Sequence, residues 1–254
     1  ANPPNQLQTL TYVLTGATSG TGTSLVGVAF NLGVTTVTWT SSDNALPTPN
    51  IVSCSYTVIV IDDDKPQILN CPINRLVNTS VNGNGDCTAT VPNLIPELTA
   101  MDNCTAAASL SITQIPAAGT TFGAQHGDQT IVTLIVTDAA GNSTSCLVVL
   151  TINDNEVPIF TNCPTTMLMY GTDPDQCSTK VTWLAPTADD NCGGAVTLMQ
   201  TTGPLPGSIV AATCPPAPIT VTYKATDGRG LMALCTFNIL VVDTQMPEFD
   251  ADII

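Results

Sequence analysis

Cysteine is the residue type in this sequence whose number and spacing point most clearly to chemistry. The 254-residue chain contains ten cysteines, and no two of them form a CxxC pair. Zinc sites usually combine closely spaced cysteines and histidines, whereas this chain has one histidine, His126, and no HExxH motif. Widely spaced cysteines in a threonine-rich chain indicate disulfides, which require an oxidising compartment. The cysteines therefore predict an extracellular or cell-surface protein.

Acidic stretches at regular places in the chain suggest calcium binding as a second chemistry. Calcium takes about six to eight oxygen ligands, which clustered Asp and Asn side chains at domain junctions can supply. The candidate ligands are Asp62, Asp64, Asp154, Asn155, Glu156 and Asp243, with Asp102, Asp138, Asp189, Asp190 or Asp227 added from nearby loops. The alternative is that these residues only form and cap turns.

The segment INDNEVPIF (152–160) resembles the calcium-binding linker of cadherins, DxNDNxPxF. It departs from that pattern because Leu150-Thr151 stand where the linker has its first aspartate. The resemblance implies the same kind of site without its complete ligand set.

The charge balance excludes several classes of partner. The chain has 20 acidic and 5 basic residues, which gives a formal net charge of −15. It has no cationic surface to neutralise phosphates or to dock on an anionic membrane, and no apolar run of about 20 residues that would span a bilayer. We therefore expect no nucleic acid and no membrane insertion. The start, Ala1-Asn2-Pro3-Pro4, is typical of a mature N-terminus after signal cleavage, or of an arbitrary start.

Catalysis finds no support in the sequence. His126 lies in a glycine-containing loop (123–127), with no Ser, Cys and His arrangement around it. Asp189 and Asp190 are adjacent, so on a strand they would point apart, which argues against a glycosidase pair. We predict that the protein is not an enzyme.

Internal repeats with a period near 90 residues set the organisation of the chain. Three matching segments have cysteines at Cys54, Cys146 and Cys235, spaced by 92 and then 89 residues, and prolines at the same spacings. The segments are SCSYTVIVIDDDKPQI (53–68), SCLVVLTINDNEVPIF (145–160) and LCTFNILVVDTQMPEF (234–249). Strict alternation of β-branched residues with Gly, Asn, Asp and Pro at the ends indicates strands joined by turns.

This pattern predicts an all-β fold of tandem immunoglobulin-like β-sandwich domains with disulfides. The predicted domains are an incomplete one lacking its first strands (1–62), two complete ones (63–154 and 155–243) and a C-terminal strand-like segment (244–254). Trp39 and Trp183 lie in alternating strands and are expected in the core.

The two complete repeats resemble the HYR (hyalin repeat) family. The residues that carry this resemblance are Cys71-Pro72 and Cys163-Pro164, the two Asp-Asn-Cys turns (102–104 and 190–192), the turns VTDAAGN (136–142) and ATDGRG (225–230), and the final cysteine-containing strand. The resemblance covers nearly the whole chain. It implies an extracellular, non-catalytic role in adhesion or matrix.

Strand topology suggests four disulfides. The first and last strands of a repeat are expected to be neighbours, which pairs Cys71 with Cys146 and Cys163 with Cys235. Cys87–Cys104 and Cys177–Cys192 would join the second strand to the Asp-Asn-Cys turn. Pairing Cys54 with Cys71 is disfavoured because an extended segment of that length spans about 50 Å. Cys54 and Cys214 remain; they form an intermolecular bridge, or they are free or bonded to a part outside this sequence.

The C-terminal segment suggests how copies join. Residues 247–254 align with the first strand after each linker, and Asp252 stands where Cys71 stands. Pro247, Phe249, Ala251, Ile253 and Ile254 would form a polymerisation strand that completes the first domain of the next copy, which gives a head-to-tail filament. The alternative is an adhesin or a fragment of a longer array, recognising a surface protein or glycan. Asn78, Asn103 and Asn142 head N-glycosylation sequons.

Overall fold

A computed structural model describes residues 9–43, 45–82 and 85–247, except for the side chains of residues 81 and 82. Phe249, Ala251, Ile253 and Ile254 of the predicted polymerisation strand lie outside the described residues. Strands dominate, and the helices of the described part are short 3-10 turns at Thr79–Asn82, Ile95–Glu97 and Ala107–Ser109. The predicted all-β, immunoglobulin-like class is confirmed. Within the described residues, no helix has the length and apolar character that a membrane crossing requires.

The first repeat forms one four-stranded sheet in the order β2-β1-β3-β4. Its strands are β1 Thr9–Gly16, β2 Gly20–Gly22, β3 Gly33–Ser42 and β4 Ile51–Val60. Tyr12 lies opposite Trp39, and Trp39 lies opposite Cys54 in the antiparallel ladder. The two aromatic rings meet edge to face with centroids 5.2 Å apart, so Trp39 packs on the small core of Tyr12, Leu14 and Val37.

The second repeat has a four-stranded sheet in the order β6-β12-β11-β9, accompanied by the two-stranded sheets β5-β8 and β10-β7. Its strands are β5 Gln67–Asn70, β6 Arg75–Asn78, β7 Ala89–Thr90, β8 Thr99–Met101, β9 Ser111–Ile115, β10 Thr121–Phe122, β11 Gln129–Thr137 and β12 Ser143–Asn153. The final strand, β12, is joined along its outer edge by the parallel strand β6.

The third repeat has the same plan, with a sheet in the order β14-β20-β19-β17 and two-stranded sheets β13-β16 and β15-β18. Its strands are β13 Ile159–Thr161, β14 Leu168–Gly171, β15 Ser178–Lys180, β16 Thr187–Asp189, β17 Thr197–Thr202, β18 Ile209–Ala211, β19 Ile219–Thr226 and β20 Met232–Val242. Again the outer edge of the final strand, β20, is covered by a parallel strand, β14.

Alternation along the final strands explains why these sequences form sandwiches. In β12, Val148, Leu150 and Ile152 are fully buried while the residues between them are not. In β20, alternate residues from Cys235 to Val241 are likewise buried. Because side chains on a strand point alternately to its two faces, each strand places one apolar row in a core. Trp183 packs edge on against Phe237 of that row, with ring centroids 5.6 Å apart.

Two compact units divide the described chain. The first contains the residues up to Pro72, Leu94–Gln114 and Thr133–Leu147, and the second contains Ile73–Asn93, Ile115–Val132 and the residues from Val148 onward. The second repeat therefore contributes residues to both units. The predicted domain boundaries stay a prediction, although each four-stranded sheet falls within one predicted domain.

Candidate functional site

Three aspartates of the first unit converge where the first repeat meets the second. Asp62 follows strand β4, Asp102 follows β8 and Asp138 follows β11. One carboxylate oxygen from each lies within 4.8 Å of the other two. We call this group the first acidic cluster.

Hydrogen bonds hold each aspartate of the cluster in place. Asp102 Oδ2 accepts from the backbone amides of Cys104 and Thr105, at 2.9 and 2.8 Å. Asp138 accepts from the backbone and the side-chain amide of Asn142, at 2.8 and 2.9 Å. The Asn142 amide also donates to the backbone carbonyl of Asp62, at 3.1 Å. The turn after β11 is thereby tied to the linker.

Unused acceptors remain in the first acidic cluster. Asp62 Oδ2 and Asp102 Oδ1 are buried and have no hydrogen-bond partner. Burial, and then the negative charges of Asp102, Asp138 and Asp64, raise the pKa of Asp62. Burial acts upward on the pKa of Asp138, but the hydrogen bonds from Asn142 and from the backbone of Gly141 and Ala140 together outweigh it and lower that pKa. Crowded carboxylates with unpartnered oxygens are the hard donor set that calcium prefers, so the residues fit this ion.

The second unit repeats this arrangement where the second repeat meets the third. Oxygens of Asp154 and Asp190 and the sulfur of Cys192 lie within 4.8 Å of one another, and we call this group the second acidic cluster. The sulfur belongs to a disulfide and so is not a thiolate ligand. Burial, and then the charges of Asp154, Asp227 and Glu156, raise the pKa of Asp190. Asp190 Oδ2 and Asp227 Oδ2 are buried without partners.

The remaining predicted calcium ligands are engaged in other contacts. Asp64 Oδ2 accepts from Asn103 Nδ2 at 2.7 Å, and Glu156 Oε2 accepts from Asn191 Nδ2. Asn155 exchanges hydrogen bonds with Ser80, and Asp243 Oδ1 accepts from the amide of Gln245 at 3.0 Å. Asp64, Asn155, Glu156 and Asp243 lie outside the two three-residue clusters, and their part in calcium binding stays a prediction.

His126 has a role that sequence reasoning did not anticipate. Its Nδ1 accepts a hydrogen bond of 3.1 Å from the backbone amide of Asp154. The loop reaches this position because Gly123 has a φ of +84°, and a Cβ there would lie 2.5 Å from Ile152. A half-buried loop histidine thus fixes the linker aspartate of the second acidic cluster.

Three disulfides join the cysteines, and two of them are the expected Cys71–Cys146 and Cys163–Cys235 bridges. The predicted Cys87–Cys104 and Cys177–Cys192 pairs are wrong. Cys87 bonds to Cys192 instead, across a sequence separation of 105 residues. Cys104 and Cys177 are left as exposed free thiols, as are Cys54 and Cys214.

The error has a physical explanation. The prediction assumed that bridges stay within a repeat, whereas the Asp-Asn-Cys turn of the third repeat lies beside the start of β7 in the second. Asn191 Nδ2 donates to the backbone carbonyl of Asp86 at 3.1 Å. The bridge is buried in an apolar cluster with Ala89 and Ile152.

The three sequon asparagines differ in the state of their side chains. Asn78 is exposed, and its oxygen accepts from Asn153 at 2.7 Å. The amide nitrogens of Asn103 and Asn142, where a glycan would attach, both donate hydrogen bonds to aspartates. Glycosylation stays a prediction, and Asn78 is the best placed of the three.

Similar proteins include two hyalins. Hyalin of Strongylocentrotus purpuratus is 32% identical over 251 residues, which is 93% of this chain and 19% of that protein. Hyalin of Lytechinus variegatus is 30% identical over 242 residues, which is 91% of this chain and 42% of that protein. The chain thus spans about a fifth and about two fifths of their lengths. The extracellular cadherin domains 1–4 of protocadherin gamma B7 align with a TM-score of 0.33 and 16% identity, over 82% of this chain and 57% of theirs.

The sheets, disulfides and junction aspartates define a tandem array of immunoglobulin-like, disulfide-bonded β-sandwich repeats. The sequence model of the HYR domain matches residues 153–241, which cover the third repeat. The chain belongs to the hyalin repeat family. Both of these relatives bear the name hyalin, and the absence of an enzymatic activity stays a prediction.

Proposed function

We propose that this chain is an extracellular structural protein whose copies join head to tail by adding a strand to the first repeat. Membership of the hyalin repeat family and three disulfides support an extracellular role in adhesion or matrix. The more specific proposal, that copies join head to tail, rests on the structure of the first repeat.

The uncovered edge of strand β4 carries the proposal. In the complete repeats, Arg75–Asn78 pair with Leu150–Asn153, and Leu168–Gly171 pair with Ile239–Val242. Within the described stretches 9–43, 45–82 and 85–247, no strand pairs with the outer edge of β4, which ends its sheet. An edge strand offers unpaired N–H and C=O groups that another chain can use.

The inner face of β4 is also poorly covered. Tyr56 is 47% exposed, whereas its counterparts Val148 and Phe237 are 0% and 5% exposed. These three residues are equivalent because each lies two residues after the cysteine that the three final strands share. A segment that buried Tyr56 would gain apolar contact as well as backbone hydrogen bonds.

Sequence alignment supports residues 247–254 as the donor. They correspond to residues 66–73, which contain β5 and Cys71. β5 pairs with β8, and Cys71 fastens the segment to Cys146 of β12. In the proposed contact, Pro247, Phe249, Ala251, Ile253 and Ile254 of one copy take the place of β5 in the first repeat of the next. A donor seated in this way would reach strand β4 at Cys54, as Cys71 reaches Cys146 of β12 in the complete repeat.

Calcium is the proposed cofactor of the two acidic clusters. Asp62, Asp102 and Asp138 would hold one ion. Asp154 and Asp190 would hold a second, together with Asp227, whose charge acts on Asp190 and whose Oδ2 is buried without a partner. The ion would neutralise carboxylates that otherwise repel one another and would tie each linker to the following repeat.

Deleting residues 247–254 tests the polymerisation. The full chain is expected to form linear assemblies in negative-stain electron microscopy and light scattering, and the deleted chain is expected to stay monomeric. Adding a peptide of residues 244–254 should shorten the assemblies of the full chain. Assemblies that persist unchanged after the deletion would contradict the proposal, and a full chain that stays monomeric would favour the adhesin alternative.

A further inference from the structure

The complete repeats present two further types of cysteine in equivalent places. The first type, the strand cysteine, comprises Cys87 and Cys177, which lie two residues and one residue before strands β7 and β15; these strands pair with β10 and β18. The second type, the turn cysteine, comprises Cys104 and Cys192, the last residues of the Asp-Asn-Cys turns that follow β8 and β16. Each complete repeat has one cysteine of each type.

The two turn cysteines are held by the same contacts. The amide of Cys104 donates to Asp102 Oδ2 at 2.9 Å, and the amide of Cys192 donates to Asp190 Oδ1 at 3.0 Å. The asparagine of each turn donates to the acidic residue two positions after the linker aspartate, which is Asp64 in one repeat and Glu156 in the other. We therefore expect Cys104 to face the repeat that precedes its own, as Cys192 does.

One strand cysteine and one turn cysteine are bonded, and the bond joins successive repeats. Cys87 of the second repeat pairs with Cys192 of the third, with Cα atoms 4.5 Å apart. Both residues are buried, at 4% and 9% exposure. The unbonded members of the two types, Cys177 and Cys104, are exposed. The third repeat thus has an unused strand cysteine, and the second has an unused turn cysteine.

We propose that Cys177 and Cys104 are the open halves of a series of inter-repeat disulfides, in which each strand cysteine bonds to the turn cysteine of the next repeat. The partner of Cys177 is the turn cysteine of a following repeat of the same kind. The partner of Cys104 is the strand cysteine of a preceding one. The disulfides make the array covalently continuous along its length beyond the peptide backbone, whether or not copies join by strand addition.

The bond forms by thiol–disulfide exchange with a small disulfide such as oxidised glutathione. The thiolate of one cysteine attacks the oxidant, which releases one reduced glutathione and leaves a mixed disulfide. The second protein thiolate then displaces the other glutathione. Two protein thiols are oxidised to one disulfide, and one oxidised glutathione is reduced to two thiols.

Repeat duplication supplies the missing partner. In one variant, residues 1–247 are followed directly by a second copy of residues 159–254, which preserves the linker spacing because Pro247 aligns with Pro158. The added copy carries Cys177→Ser, so that only the original Cys177 can be alkylated at this position. After refolding with reduced and oxidised glutathione, free thiols are alkylated and disulfide-linked peptides are identified by mass spectrometry. We expect Cys177 to be linked to Cys192 of the added copy and to lose more than about 90% of its alkylation, since a disulfide sulfur is not alkylated. Replacing that added cysteine, Cys192→Ser, should restore the alkylation of Cys177.

A matched variant tests the turn cysteine, Cys104, by supplying a preceding repeat. A second copy of residues 66–157, which carries Cys104→Ser, replaces residues 1–65. The original Cys104 should then be linked to Cys87 of the added copy. Alkylation of Cys54, where present, and of Cys214 should not change and serves as the internal control. Cys177 or Cys104 remaining alkylated while the added copy has formed its own Cys163–Cys235 or Cys71–Cys146 bridge would overturn the proposal. A Cys87–Cys104 bond in the unmodified chain would overturn it as well.

Discussion

Asn103 Nδ2 donates a 2.7 Å hydrogen bond to Asp64 Oδ2, where the second repeat begins. The equivalent pair, Asn191 and Glu156, makes the same contact where the third repeat begins. In both places the asparagine stands beside an aspartate, Asp102 or Asp190, that has a buried and unpartnered carboxylate oxygen. The two junctions therefore have the same arrangement of asparagine, acidic residue and aspartate, so the same substitution can be compared at both.

Replacing Asp62 by Asn should have opposite effects with and without calcium. Without calcium, the Asp62→Asn variant should melt at a higher temperature than the parent chain, because burial and neighbouring carboxylates disfavour the Asp62 charge and raise its pKa. With calcium at about one hundred times its Kd, the parent should gain about 2.7 kcal/mol, and the variant much less. Differential scanning calorimetry with calcium or with a chelator measures both effects.

Asp63→Asn is the matched control, because Asp63 is an exposed neighbour outside the cluster. It should leave the calcium response unchanged. Equal calcium-induced shifts in the parent and in Asp62→Asn would argue against an ion at the first acidic cluster.

Replacing Asp43 by Asn should weaken the first repeat in a pH-dependent way. Hydrogen bonds from the side chain and the backbone of Asn50, and then from the amide of Ala45, lower the pKa of Asp43. Because the folded pKa lies below the unfolded value of about 3.9, the stabilisation is complete above that value and is lost as the pH falls through the folded pKa. The difference in melting temperature between parent and Asp43→Asn should therefore be largest near pH 7 and should shrink below about pH 4.

Trp39 fluorescence in a Trp183→Phe background reports this change in the first repeat alone, since the chain has two tryptophans. A difference in melting temperature that stays constant from neutral to acidic pH would contradict the assigned cause.

Equivalent aromatic residues of the final strands should differ in their contribution to stability. Phe237 is 5% exposed and packs against Trp183, so Phe237→Ala should lower the unfolding free energy of the third repeat by about 3–5 kcal/mol. Tyr56→Ala should cost less than about 1 kcal/mol, because Tyr56 is 47% exposed. Urea titration followed by tryptophan fluorescence measures both. Similar losses for the two variants would mean that strand β4 is covered as β20 is.

The sequence predicts local structure and repeated features well, for physical reasons. Alternating residues such as Val132, Leu134 and Val136 predict strands because a strand has a period of two. The Cys71–Cys146 bridge is predictable because both residues lie on strands that the repeat plan makes neighbours. The Cys87–Cys192 bridge is not, because it depends on how one repeat meets the next, and no local pattern encodes that.

The acidic clusters were predictable in part. Linker position identifies Asp62 and Asp154, since acidic residues before a proline recur with the repeat. Asp64, Asn155 and Glu156 satisfied the same pattern but turn to hydrogen-bond partners that only the folded chain brings near. The contact of His126 with the amide of Asp154 left no signal in the sequence, because a loop histidine has no fixed spacing from a linker.

The alignment of Asp252 with Cys71, and of Cys54 with Cys146, allows a covalent test of strand addition. In an Asp252→Cys, Cys214→Ser variant, a donor strand seated as proposed would place the introduced thiol beside Cys54 of the next copy. A non-reducing gel should then show a ladder of multimers that collapses on reduction, and peptide mapping should identify a bond between positions 252 and 54. Cys214→Ser alone and the triple variant with Cys54→Ser should lack that bond. A purely monomeric Asp252→Cys, Cys214→Ser protein under oxidising conditions would contradict head-to-tail strand addition.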